Sequence, residues 1–404
     1  MTVDRKWRPT VCRLRSSFST TLATSVKCRS LGGASGAHSS AAGSPRRAGE
    51  QAPVGALTPP VCAYVRNPST FLAADAGHSA QAANLIGMND SALLPRVFLR
   101  PTVIEQGISS DEIERRRRSK EWFTLRPGAY VNRAAFIQLE LQQRHLVLIH
   151  ATLPVLTEDA VLSHITAACA WGIETWGVNL RAVQVTRAGT SGGHRRLALH
   201  TFRAQLADDE VVLLDGMRVT SVARTLVDLA RILPFEQAVV AADSALHLRL
   251  VTRSELDQAL TDGFRRPGLS KARQVFALAD SRAESVGESR SRAAIAQSDL
   301  PMPDLQVVIR NSLGAALGRG DFVWRRYRTV GEFDGAKKYR PNTESDQNTL
   351  GQQDALYLEK LREDNIRAEG WHVIRWGWKD LDDPTALVQR IWCGLQLGRQ
   401  LIRH

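Results

Sequence analysis

The stretch Gly318–Lys338, GRGDFVWRRYRTVGEFDGAKK, decides how this 404-residue chain is read. GRGDFVW and RTVGEFDG are strand patterns on either side of RRYR, which predicts a hairpin turning around Arg325 to Arg328. Asp321 starts one strand and Glu332 lies on the next, so closing the hairpin brings the two carboxylates side by side. Glu332 and Asp334 stand two apart on one strand and share a face. Working outward, ESVGESRSRAAIAQS from about Glu284 predicts a helix and LQVVIRN a strand. QDALYLEKLREDNIRAEG then predicts a helix and WHVIRW a last strand, giving the order αβββαβ across residues 281–404.

Clustered carboxylates repel one another and raise at least one pKa unless they share a cation. Mg2+ accepts a few carboxylates while keeping several waters, and it can activate one water and stabilise charge building on a phosphate. Asp321 and Glu332 are the candidate metal ligands, with Glu288 on the first helix and Asp334 as further acids of a catalytic set. Lys337 and Lys338 follow closely enough to touch a phosphate, and Lys338 is the candidate catalytic lysine. The pieces ESVGESRSR, GDFVW, GEFDG and LEKLREDNIRAEGWHVIRWGW resemble the PD-(D/E)XK, restriction-endonuclease-like fold, in the branch similar to very-short-patch-repair endonucleases. The resemblance implies Mg2+-dependent cleavage of DNA phosphodiesters, with Glu288 as the first-helix acid, Asp321 as the metal-binding acid and Glu332 as the second acid. Asp334 stands where that pattern places lysine. The resemblance therefore implies either a migrated lysine, Lys338 or Lys360, or a degenerate nuclease fold that binds without cutting. RPNTESDQNTLGQQ (340–353) reads as a polar surface loop before the helix. Trp371, Trp376 and Trp378 near Arg375 offer base stacking, but the alternation of WHVIRW puts at least one in the core, and packing is the preferred reading. Glu359, Lys360, Arg362, Glu363 and Asp364 read as a mixed-charge helix surface with i to i+4 pairing.

Residues 88–150 read as a small helical module. Within LLPRVFLRPTVIEQGISSDEIERRRRSKEWFTLRPGAYV (93–131), Pro101 suits the first turn of a short helix and Gly107 its end. Ser109 and Glu112 have capping-box spacing and start a second helix running to about Lys120. WFTLRPGAYV is a hairpin bending at Pro127-Gly128, with Trp122, Phe123 and Tyr130 facing the helices. The layout is that of a winged helix-turn-helix, and Arg115, Arg116, Arg117, Arg118 and Lys120 on its second helix are the candidate DNA contacts. The same run also reads as a solvated charged face.

Residues 151–280 read as a mixed α/β domain without obvious chemistry. LTEDAVLSHITAACAWG is a helix capped by Thr157, AVQVTRAG and RLALHTFRA are strands, and VTSVARTLVDLARILPFEQAVVAADSAL is two helices parted by Pro234. His164, His194 and His200 have no partner at metal-ligand spacing, and Arg224 and Asp228 read as a structural i to i+4 ion pair. RPGAYV, VLSHITAACAWG, VTSVARTLVDLAR and AVVAADSAL are similar to the AbiEi-type antitoxin family over about residues 90–270. That resemblance implies a winged helix that represses its own operon and a second domain that counteracts a nucleotidyltransferase toxin. An unbroken Arg run departs from the varied helix usual in that family.

The formal charge of +12 is unevenly spread, because residues 1–87 carry ten Lys/Arg against three acids. The body is only mildly basic, so nucleic-acid contact must come from local patches. Residues 1–87, rich in Ala, Ser, Gly and Arg, read as a disordered leader, an upstream mis-assigned start before Met88, or a transit peptide. No apolar run reaches the ~18 residues of a membrane span. Five dispersed cysteines without C-x-x-C indicate neither zinc nor a disulfide framework and suit a reducing cytoplasm. The expectation is a cytoplasmic, α+β / α/β multidomain DNA-binding protein that joins an antitoxin-like half to an endonuclease-like half. The alternative is a non-enzymatic regulator or antitoxin with a degenerate nuclease fold that binds DNA or a toxin.

Overall fold

A computed structural model describes residues 94–189, 194–196, 198–263, 266–335 and 349–402, and it is a mixed α/β architecture with three sheets. The expectations for residues 1–87 and for Lys337 and Lys338 lie outside the described residues. Local signals near residue 100 act as anticipated. After β1 (Val97–Leu99), Pro101 enters the first turn of α1 (Arg100–Glu105), and Gly107 takes φ +89°. The Ser109 hydroxyl accepts the Glu112 N–H at 3.1 Å and starts α2 (Ser110–Arg118). β2 (Trp122–Arg126) and β3 (Ala129–Asn132) flank Pro127-Gly128, where Gly128 has φ +75°. The antiparallel order is β1-β3-β2, and Trp122 and Tyr130 pack on Val103 and Ile113 of the two helices.

Two details of this segment differ from expectation. α2 stops at Arg118 because Ser119 closes it and Lys120 turns to φ +60°. Phe123 faces away from α1 and α2 and stacks on Phe136 of α3 (Arg133–Gln138) with ring centroids 5.0 Å apart. Strand alternation leaves one face to Trp122 and the other to Phe123. α4 (Leu141–Thr152) follows.

The middle sheet has the order β6-β7-β5-β4-β9-β8. Its strands are β4 (Val161–Leu162), β5 (Val183–Arg187), β6 (His194–Arg196), β7 (Leu199–Arg203), β8 (Val211–Leu214) and β9 (Met217–Thr220). The helix expected from Thr157 begins only with α5 (His164–Ala170). Val161 and Leu162 instead pair with Thr186 and Val185, because a short apolar run fits strand or helix and sheet pairing decides. α6 (Val222–Ile232) and α7 (Phe235–His247) are parted by Pro234, and α8 (Arg253–Asp262) and α9 (Leu269–Leu278) complete the layer. Arg224 and Asp228 form a buried pair at 2.7 Å, and Glu210 adds a second carboxylate to Arg224 at 2.6 Å.

The αβββαβ order over the last segment is observed. α10 (Val286–Ala296) precedes β10 (Asp304–Arg310), β11 (Ala316–Trp324) and β12 (Thr329–Asp334). α11 (Thr349–Ala368), β13 (His372–Gly377), α12 (Trp378–Leu381) and α13 (Pro384–Gln400) follow. The strands lie β10-β11-β12-β13, with only the β12–β13 pair parallel, as a crossover through α11 requires. α11 starts at Thr349, so it takes in the end of the stretch read as loop. One face of the sheet packs Phe322, Trp324, Ile374 and Trp376 against Ile295 and Ile391. Val323, Val330 and Val373 form a second core with Ile366 of α11. Trp371 and Trp376 are buried, in line with the packing reading. Among the described residues no helix is long and apolar enough to cross a membrane.

Candidate functional site

The hairpin register pairs Phe322 with Gly331, which sets Asp321 and Glu332 one step further along adjacent strands. Their side chains nevertheless find different company. Asp321 accepts the Phe333 N–H on Oδ2 at 3.0 Å, and the Gln306 amide reaches its Oδ1 at 3.4 Å. The same Gln306 Nε2 donates to Glu288 Oε2 at 2.9 Å, so one NH2 group lies between two carboxylates. Gln306 stands at φ +53° between the paired Leu305 and Val307, an uncommon conformation for a residue with a side chain. Its Oε1 is buried and has no hydrogen-bond partner.

Glu288 comes close because α10 lies directly on β12. A Cβ on Gly287 would fall 1.9 Å from the Phe333 ring, so only glycine permits this approach. Glu288 also has a local task. It accepts the Glu284 N–H at 3.0 Å and the Ser285 hydroxyl at 2.8 Å, closing the first turn of α10. Burial, together with the nearby Glu288 charge, pushes the Asp321 carboxyl above its usual range against the opposing Phe333 N–H.

Glu332 is buried and held by cations. Arg362 of α11 meets its Oε1 at 2.6 Å, and Arg375 of β13 meets its Oε2 at 2.7 Å. Arg362 lies over Gly318, whose Cβ would stand 3.0 Å from the Arg362 side chain. Glu359 binds both arginines at 2.6 Å, and its carboxyl is drawn down to about 2, chiefly by Arg362. Glu363 reaches Arg375 at 3.0 Å, and Arg375 Nε remains buried without a partner. Asp334 is exposed at the end of β12, opposite Gly377. Among the described residues no group of three or more His, Cys, Asp or Glu side chains is placed to hold a metal ion. Glu288 and Asp321 thus meet through Gln306, while the Glu332 carboxylate is taken up by two guanidinium groups.

Gln306, Arg362 and Arg375 are the site residues that sequence reasoning missed in these roles. A polar Gln at the start of the apolar strand LQVVIRN was the available signal for the first, and the mixed-charge surface of α11 hid the second. Arg375 stands in the sequence between Trp371 and Trp376, which gives it a stacking context and no carboxylate partner.

The basic helix is partly neutralised within itself. Arg115 and Arg116 bind Glu112 at 2.7 and 2.6 Å, while Arg117 and Arg118 bind Glu114 at 2.6 and 3.3 Å. Arg115 and Arg116 hold the Glu112 carboxyl down to about 2. Arg116 additionally lies over Trp122, 5.1 Å from the ring, which ties it to the local core. Arg115 and Arg118 stay well exposed, at 66% and 79% of their side-chain surface. Lys120 is exposed in the turn to β2.

No family model matches the chain. It is 27% identical over 209 residues to the uncharacterized protein Rv2248 of Mycobacterium tuberculosis (strain ATCC 25618 / H37Rv), covering 52% of this chain and 71% of that one. The uncharacterized protein MT2308 of Mycobacterium tuberculosis (strain CDC 1551 / Oshkosh) matches with the same identity and coverage.

Proposed function

We propose that the chain is a cytoplasmic DNA-binding protein. Its first described segment acts as a winged helix-turn-helix of the AbiEi antitoxin type, and its last as a Mg2+-dependent, endonuclease-like module. The observation that carries the nuclease half is the Glu288–Gln306–Asp321 group. Two carboxylates converge on one amide whose buried oxygen is unsatisfied, and one carboxyl is already raised by burial and by the other's charge. A divalent cation relieves that repulsion, and a half-turn of the Gln306 amide offers its oxygen in place of NH2. The donor set fits Mg2+, which is content with one or two carboxylates plus waters. Asp321 and Glu288 would hold it, with Glu332 joining on release from Arg362 or Arg375. The ion's contribution is to polarise a phosphate oxygen and lower the pKa of a bound water. The chain's own part is to hold the acids on the β11–β12 hairpin and α10 and to set guanidinium groups beside them. Exposed Arg115 and Arg118, with Lys120, supply phosphate contacts on the second helix.

Incubation of the full chain with plasmid and Mg2+ tests the reading. Nicking that is lost in the Asp321→Ala and Glu332→Ala variants is expected, and undiminished nicking by both overturns the assignment. Glu332 in its two-arginine clamp, with Asp334 where the related pattern has lysine, favours a second reading in which the module binds DNA without cutting. Calorimetry with Mg2+ separates the two, because a degenerate site shows no Asp321-dependent heat. A nucleotidyltransferase-type toxin is the partner the antitoxin resemblance implies, and its co-purification from the host tests that part.

A further inference from the structure

Apart from the carboxylate group, β2, α3, α4 and the loop 177–181 line an open cavity of about 710 Å3, within the range that takes small organic ligands. One wall is the stacked pair Phe123 and Phe136, and Leu141 and Leu148 extend it as an apolar surface. Two cations, Arg144 and Arg181, also line it, and among the described residues no acidic side chain does. Arg144 sits over the Phe136 ring at 5.8 Å and gives one Nη to the Ile137 carbonyl at 2.6 Å, while its Nε is buried without a hydrogen-bond partner. Arg181 is exposed on the loop, and its backbone N–H is taken by the Asn179 side chain at 3.0 Å. A buried guanidinium N–H without an acceptor is costly, and a cavity with two cations and no counter-charge has an unmet preference for an anion.

The geometry points to a binding site for an amphipathic organic anion, with its flat apolar body against Phe123 and Phe136 and its acidic group met by Arg144 and Arg181. The apolar walls disfavour a bare inorganic ion, because they give it nothing in exchange for its hydration shell. The arginines disfavour a neutral ligand, which leaves them unpaired.

Two fluorescent probes that differ in charge test this on the full chain: 8-anilinonaphthalene-1-sulfonate and the neutral N-phenyl-1-naphthylamine. The expected result is saturable binding of the sulfonate that weakens about tenfold or more in Arg144→Gln and in Arg181→Gln, as loss of a charge-assisted bond predicts. The neutral probe should be little changed in both. Val178→Trp, which fills the cavity from its loop side, should remove both probes. Arg181→Gln alters an exposed loop residue, so it remains informative if Arg144→Gln fails to fold. Unchanged sulfonate affinity in Arg181→Gln, or probe binding that survives Val178→Trp, overturns the proposal. Absence of sulfonate binding, as when another part of the chain already fills the cavity, overturns it too.

Discussion

Replacing Asp243 by alanine should weaken the protein more than any surface change, and the size of the effect follows from what the carboxylate holds. Asp243 on α7 meets Arg292 of α10 at 2.5 Å, and the two side chains are 1% and 3% exposed. Its other oxygen accepts the Asp280 N–H at 2.7 Å, and Arg292 also donates to the Leu278 carbonyl. Truncation leaves a guanidinium inside the protein without its counter-ion, and breaking a buried pair in this way costs about 3–5 kcal/mol. Arg292→Met alone should also destabilise, because it strands the Asp243 carboxylate. Asp243→Ala combined with Arg292→Met removes both charges, so it should cost clearly less than the two single losses added together. Urea unfolding of the four proteins, read as the shift in midpoint at constant slope, measures each value. A loss below about 1 kcal/mol for Asp243→Ala, or strict additivity in the double variant, refutes the reasoning. Arg292 lies one helical turn beyond Glu288, so the same Asp243→Ala variant should also bind Mg2+ less tightly in calorimetry.

Burial and Glu288 raise the Asp321 carboxyl in the folded state above the usual aspartate range, so its contribution to stability is present in acid below that range and is lost as pH rises through the raised value. Asp321→Asn should therefore be more stable than the parent at neutral pH, with the advantage vanishing in acid, as thermal melts across pH would show. Gly287→Ala drives a methyl into the Phe333 ring and should cost about 1–3 kcal/mol by chemical denaturation, part of which Phe333→Leu recovers. Arg115→Ala and Arg118→Ala should each flatten the salt dependence of duplex binding by about 0.9 in log–log slope if they contact phosphates. Arg116→Ala should instead lower stability through its lost Trp122 contact.

Much of the fold was readable because its signals are local. Ser109, Pro127-Gly128 and Pro234 act within a few residues of themselves, and the strand patterns around Asp321 and Glu332 do not depend on distant partners. Readings failed where two local answers were both reasonable. Val161 and Leu162 suited a helix as well as a strand until Thr186, Val185 and Val219 were beside them. Phe123 looked like a neighbour of Trp122 in the same core, yet alternation sends it to Phe136. Of the acids, Glu288 and Asp321 do meet, but through a glutamine that periodicity marks only as a strand residue.

By itself the sequence determined the αβββαβ order, the hairpin that sets Asp321 and Glu332 on neighbouring strands, and the short helices before the Pro127-Gly128 turn. Periodicity, caps and turn residues carry that information along the chain. Tertiary structure alone decided that Gln306 would lie between Glu288 and Asp321, and that Arg362, thirty residues further on, would close with Arg375 on Glu332. Those pairings depend on how α10 and α11 settle against the sheet, down to the missing Cβ of Gly287. Buried charge accepts whichever partner packing delivers, so the partner cannot be read from spacing along the chain.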